Sequence, residues 1–309
     1  MNIFQQYLVE EFAEDYQEGH LSRREALKLI ASVTGSLLLA NTILAGCAPI
    51  ASPVASSAIA PAESPVGQAP TQAATAEAGP AGELEGQDIQ FSGGDATLFG
   101  YLARPAGGGP LPVALVCHEN RGLTAHIKDV TRRLAQAGYL ALAVDLLSRQ
   151  GGSSSLSSSD VPGILGNTPP DQFVSDFLSG WEYLKTLPNA QAERVGMVGF
   201  CFGGGVTWLM ATHMPELRAA VPFYGPHPPV EAVPNIQAAV LGIYAGNDQR
   251  INQGIPAIEE AMAQNGKIFE KVIYPDTEHA FHNDTGSRYN PEAAKDAWRR
   301  TLDWFGRFV

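Results

Sequence analysis

Three residue types capable of acyl-transfer chemistry stand far apart in the sequence, each just after an apolar run. Cys201 is the centre of "GFCFGG", residues 199–204, between Val195-Gly196-Met197-Val198 and Val206-Thr207-Trp208-Leu209-Met210. Asp248 lies in "YAGNDQRI" and His279 in "PDTEHAFHN". A thiol at the N-terminus of a helix is favoured as thiolate by the helix dipole. An imidazole can take the thiol proton and return it to a leaving group, and a carboxylate can fix the imidazole tautomer. The alternative for Cys201 is an inert small residue filling a tight strand-to-helix turn.

Residues 199–203 fit the nucleophile-elbow pattern with cysteine in place of serine. Such an elbow strains its central residue and needs neighbours without a β-carbon where strand and helix close around it. The chain order nucleophile, acid, histidine is that of the α/β hydrolases. A second polar cluster, "CHENRGL" from Cys117 to Leu123, follows another apolar run. The backbone amides of Asn120 and Phe202 are the expected oxyanion donors. Glu119 lies close to the thiol or pairs with Arg121, because an unpaired buried carboxylate is costly. Cys117 reads as a buried small residue, and a Cys117–Cys201 disulfide stays open at this level. Tyr224, in "FYG", either lines the pocket or belongs to the core.

Other titratable groups rank lower. Asp276 and Glu278 sit too near His279 to be its acid and read as loop carboxylates, and His282 is the rival histidine. His126 and His213 fall in helical patterns, and His227 in a proline-rich loop. No metal-ligand spacing is evident and no cofactor is expected.

The elements that must position these groups begin at about Gln87. Residues 87–92 and 97–105 flank Gly93-Gly94-Asp95 as a hairpin. Apolar runs at 113–119, 140–147, 194–200, 219–225, 239–246 and 269–275 then alternate with helical patterns at 127–137, 173–187, from 202, 255–264 and 293–308. This predicts a mostly parallel sheet with helices on both faces, its ligand site beyond the strands' carboxyl ends. A serine-rich loop, "QGGSSSLSSSDVPGILGNTPP", follows Arg149 and reads as a mobile rim.

On "HENRG", "GFCFGG", the strand end at Asp248 and "HAFHN", the sequence from Gln87 to Val309 resembles the dienelactone hydrolase (carboxymethylenebutenolidase) family. The resemblance implies an α/β-hydrolase fold and a triad of Cys201, Asp248 and His279. It makes Glu119 the group that holds the resting thiol away from the histidine. It also makes Arg149 one of two arginines for an anionic substrate; where the second would stand, the sequence has Asn283. The implied activity is hydrolysis of small esters or lactones through a thioester. A thioesterase, or a non-catalytic ligand-binding protein on the same scaffold, are the rival readings.

The rest of the 309 residues suggests an address. Arg23-Arg24 after Ser22 resembles a twin-arginine export signal, with Ala26 at its phenylalanine position. The uncharged stretch from Leu29 to Gly46 ends in "LAGC", which resembles a lipobox with Cys47 as the lipidated residue. Residues 1–46 are therefore expected to be an export signal, 47–86 a flexible Ala/Pro/Ser-rich tether and 87–309 the catalytic domain. A transmembrane helix over 29–46 is the competing reading, weakened by Ser32, Thr34, Ser36, Asn41 and Thr42. The expected location is extracytoplasmic, held to a bacterial membrane through lipid on Cys47. A net charge of −12 and the lack of a basic stripe argue against nucleic acid as a partner. The oligomeric state is not legible.

Overall fold

In the computed structural model, residues 1–47, 84–107 and 109–309 are described. Among these residues eight strands form one sheet: β1 (Leu84–Ser92), β2 (Thr97–Pro105), β3 (Leu111–Cys117), β4 (Leu140–Asp145), β5 (Ala190–Phe200), β6 (Ala219–Phe223), β7 (Ala239–Ala245) and β8 (Phe269–Tyr274). Their order is β1-β2-β4-β3-β5-β6-β7-β8. β2 runs antiparallel to β1 and β4, and every later pairing is parallel. This is the expected mostly parallel sheet, opened by the expected hairpin.

Among the described residues ten α-helices accompany it: α1 (Ile3–Gln17), α2 (Arg23–Thr34), α3 (Leu37–Ala45), α4 (Ala125–Gln136), α5 (Val161–Asn167), α6 (Pro170–Lys185), α7 (Phe202–His213), α8 (Gln249–Asn252), α9 (Ile255–Gln264) and α10 (Pro291–Phe308). The continuous apolar runs have the burial they imply. Val113–Cys117 and Val195–Phe200 are fully enclosed, because helices cover the central strands on both sides. β8 differs. As the sheet's edge strand it buries no residue completely, and its adjacent charged residues Glu270 and Lys271 are exposed.

Of the tether expected over 47–86, residues 48–83 lie outside the described residues, and 84–86 open β1. The loop after Arg149 carries the short helix α5. There Gly163 lets the chain approach Ser32, and an added Cβ would lie 2.8 Å from that side chain.

The N-terminal segment is helical and packs on the rest of the protein. α1 begins with a capping box between Asn2 and Gln5 and buries Phe4, Tyr7, Leu8, Val9, Glu11 and Phe12. Positions 4, 8 and 12 share one face, so the helix has a single apolar stripe with Tyr7 and Glu11 beside it. Phe4 inserts between Phe173 of α6 and Phe202 of α7, at ring centroid distances of 5.3 and 4.9 Å. Each such buried side chain contributes roughly 1.5–3 kcal/mol relative to exposure. α2, capped by Ser22 and Glu25 and ended by Gly35 in the left-handed region, packs Ala26, Ile30 and Val33 inward. α3 leaves Leu37, Leu38 and Leu39 exposed. No helix of the described residues is long and apolar enough to cross a membrane.

Candidate active site

Cys201 stands on the turn between β5 and α7 with φ 59° and ψ −121°, a conformation that L-residues rarely adopt. The neighbouring glycines permit it. A Cβ on Gly199 would meet the Gly203 carbonyl at 2.2 Å, and one on Gly203 would meet the His118 carbonyl at 2.4 Å. The Cys201 amide is fixed by the Phe223 carbonyl of β6 at 3.0 Å. Phe202 is the first residue of α7, so its amide has no acceptor within the helix. The expected elbow is present.

Asp248 follows β7 and caps α8, accepting from the Ile251 amide at 3.2 Å. Its other oxygen lies 2.6 Å from Nδ1 of His279, on the loop after β8. That contact leaves Nε2 of His279 on the side of the thiol. The three residues sit at the carboxyl ends of β5, β7 and β8 and are all buried. Burial pushes the Asp248 carboxyl up, but His279, Arg250 and the Ile251 amide together hold it below its ordinary value. Burial pushes His279 down, and Asp248 followed by Cys201 more than reverses this, holding it well above its ordinary value.

The thiol has two neighbours that sequence reasoning missed, both on α1. The Tyr7 hydroxyl lies 3.1 Å from Sγ of Cys201 and 3.3 Å from Nε2 of His279. The thiol points to the Glu11 carboxylate, at 3.5 and 3.8 Å from its two oxygens. Glu11 Oε1 is also 4.0 Å from Nε2 of His279 and accepts from Nδ2 of Asn120 at 3.1 Å. Burial and then Glu11 push the Cys201 thiol up, while its hydrogen bond to His279 pulls it down less strongly. Charges about 4 Å apart interact by roughly 4 kcal/mol at an effective dielectric of 20. A helix N-terminus supplies only about 0.3–2 kcal/mol. In this arrangement the thiol form is favoured.

Glu119, the expected resting partner of the thiol, lines the same cavity as Cys201 and is bonded there by Asn283. Its carboxylate is buried and accepts from Nδ2 of Asn283 at 2.8 Å. Burial raises its pKa, opposed chiefly by His126, Arg121 and His279. Asn283 thus anchors Glu119. Arg149 does not line the cavity beside Cys201; its guanidinium bridges Asp95 in the hairpin turn and Asp176 of α6, at 2.7 and 2.9 Å. Tyr224 is fully buried with its ring 4.9 Å from that of His279, so it supports the imidazole from within the core. Asn120 does line the cavity.

Cys117 is buried and free, as is Cys201, so no disulfide joins them. His282 is a core residue, stacked on Phe200 at 4.9 Å, and burial with His126 nearby pushes its pKa down to about 3. Cys47 is a free, half-buried thiol at the end of the N-terminal helices.

A cavity of about 490 Å³ opens above Cys201 and His279. One wall comes from the hydrolase unit through Asn120, Arg121 and Arg288, the other from the N-terminal helices through Phe12, Asp15 and Lys28. Glu11, Cys201 and His279 each offer a ligand atom within 4.8 Å of the others, a donor set that a divalent cation takes. The Tyr7 hydroxyl already bonds two of the three. The signal for the missed residues was present in residues 4–12. Their apolar positions follow a helical period before the arginine pair, but a leader was expected to be discarded rather than folded.

A mostly parallel sheet with Cys201, Asp248 and His279 at its strand ends gives the molecule the α/β-hydrolase fold. The dienelactone hydrolase family model matches residues 98–309, and the chain belongs to that family. It is 38% identical over 252 residues to a protein of Methylorubrum extorquens described as "Putative carboxymethylenebutenolidase", with 77% of this chain and 87% of that one covered. An Escherichia coli K12 protein of the same description is 34% identical over 288 residues, covering 87% and 98%. Among solved structures, the "Putative Dienelactone Hydrolase" of Klebsiella pneumoniae superposes with a TM-score of 0.69 at 32% identity. All of that chain is covered, and 73% of this one.

Proposed function

We propose that the protein hydrolyses small esters or lactones through Cys201, His279 and Asp248, by way of a thioester. One observation carries this: the Asp248–His279 hydrogen bond of 2.6 Å turns Nε2 toward a thiol held on a strained elbow. Family membership and relatives named for carboxymethylenebutenolidase activity support the same reaction class.

The thiol proton passes to Nε2, and Sγ bonds to the substrate carbonyl carbon. The displaced carbonyl electron pair moves onto oxygen, where the amides of Asn120 and Phe202 stabilise it. Collapse of this adduct breaks the bond to the alkoxide or enolate, which takes the proton from Nε2. Water then loses a proton to His279 and attacks the thioester, and the thiol is restored as the acid departs. A thiolate leaves its adduct readily, so activated acyl groups such as enol lactones suit this site better than amides. The test is Cys201→Ala assayed on p-nitrophenyl esters and enol lactones. Loss of turnover supports the proposal, and undiminished turnover refutes it.

We further propose that the chain is exported and anchored through lipid on Cys47. The arginine pair and the "LAGC" stretch support this reading. A mature N-terminus beginning elsewhere than at Cys47, or without lipid, would refute it.

A further inference from the structure

We propose that α1 is an intramolecular inhibitor, a plug that holds Cys201 latent until the N-terminal helices separate from the hydrolase unit. The inference rests on the catalytic reading above and adds to it the control of the same site.

The contacts of α1 run against the reaction. An acyl substrate needs the space between Sγ and Nε2, because its carbonyl carbon bonds to the first and its leaving oxygen takes a proton from the second. The Tyr7 hydroxyl lies within hydrogen-bonding reach of both atoms. The Glu11 carboxylate stands beside Sγ and takes the side-chain amide of Asn120, on the side where negative charge has to develop on the substrate oxygen. A working active-site residue would favour thiolate and oxyanion, whereas a buried carboxylate there opposes both. That charge separates a plug from a catalytic tyrosine.

The hydrolase unit also grips the helix. Arg250, two residues after Asp248, bonds Glu14 at 3.0 Å and lies over the Tyr7 ring at 4.5 Å. Arg288 bonds Asp15 at 2.9 Å. Phe4 fills the seam between α6 and α7. Three successive turns of α1 are therefore engaged, by an aromatic anchor, the catalytic pair and two arginines. The solved Klebsiella relative is covered over its whole length by 73% of this chain. Any event that undocks α1 opens the site. Hydrolysis of the Gly46–Cys47 peptide bond, proposed above, is one such event.

The test uses the full chain. Phe4→Asp with Leu8→Asp undocks α1, and Tyr7→Phe with Glu11→Gln keeps it docked but removes the hydroxyl and the charge. Cys201 alkylation by iodoacetamide and p-nitrophenyl acetate hydrolysis are measured on both and on the parent, with far-UV circular dichroism as the folding control. Each unit of thiol pKa relieved raises the thiolate fraction about tenfold. The expected result is at least a tenfold faster alkylation in the undocked chain and a smaller rise in the other pair. Unchanged or slower alkylation in both overturns the plug. Should the undocked pair fail to fold, the Tyr7/Glu11 pair decides alone: faster alkylation supports the plug and slower alkylation overturns it. Faster alkylation without any hydrolysis keeps the plug and refutes the hydrolase reading. Hydrolysis in the parent that undocking leaves unchanged does the reverse.

Discussion

His279 donates through Nδ1 to Asp248 at 2.6 Å, and this bond decides which nitrogen faces the thiol. With Asp248 replaced by Asn, the amide can donate to Nδ1, and the imidazole is then held in the wrong tautomer. The expected fall in kcat for Asp248→Asn is about ten-thousandfold, by the scale of other triads. Steady-state kinetics on an activated ester check this, on the parent and variant under one set of conditions.

The elbow gives a steric prediction. Gly203→Ala puts a Cβ 2.4 Å from the His118 carbonyl and 2.6 Å from the Cys117 carbonyl, and neither backbone atom can swing aside. Overpacking of this kind costs about 1–3 kcal/mol. Urea unfolding is expected to show a lower midpoint with an unchanged slope.

Burial of neutral histidines predicts an acid-side loss of stability. His282 is pushed down to about 3 and His227 to about 4, in both cases mainly by burial. Unfolding returns them toward about 6.5, so below that pH the unfolded state binds protons the folded state does not. Their destabilising effect starts near pH 6.5 and grows until the folded values are reached. His282→Phe, which keeps the stacking on Phe200, is expected to flatten the fall of Tm between about pH 6.5 and 3. An identical pH profile in that variant would remove His282 from the account.

Asn283 satisfies the buried Glu119 carboxylate. Asn283→Ala leaves that oxygen without its donor, at an expected cost of about 1–3 kcal/mol. Adding Glu119→Gln removes the charge and should recover part of the loss, a coupling that a double-mutant cycle measures.

Much of this was legible in the sequence. Apolar runs at 113–119, 194–200 and 239–246 supply β3, β5 and β7, because a sheet covered on both faces buries such continuous runs, and the candidate site residues follow at strand ends. Edge exposure at β8 was not legible, since strand order is a tertiary property. Glu119 lines the cavity that holds Cys201, as its sequence position implied, but its hydrogen bond to Asn283, far along the chain, depends on loop geometry that no local pattern encodes. Arg149 pairs with Asp95 and Asp176 for the same reason. Tyr7 and Glu11 escaped notice because a segment resembling an address is judged by its charge and hydropathy. The period of Phe4, Leu8 and Phe12 carried the docking surface all the while.

The most direct measurement is the mass of the protein during turnover of an excess of p-nitrophenyl acetate, quenched in acid and mapped by peptide. The account predicts one acetyl group on the peptide containing Cys201, decaying with the kinetics of product release and missing in Cys201→Ala. Turnover with the acetyl group on another residue, or with none on any residue while Cys201→Ala stays active, would contradict it.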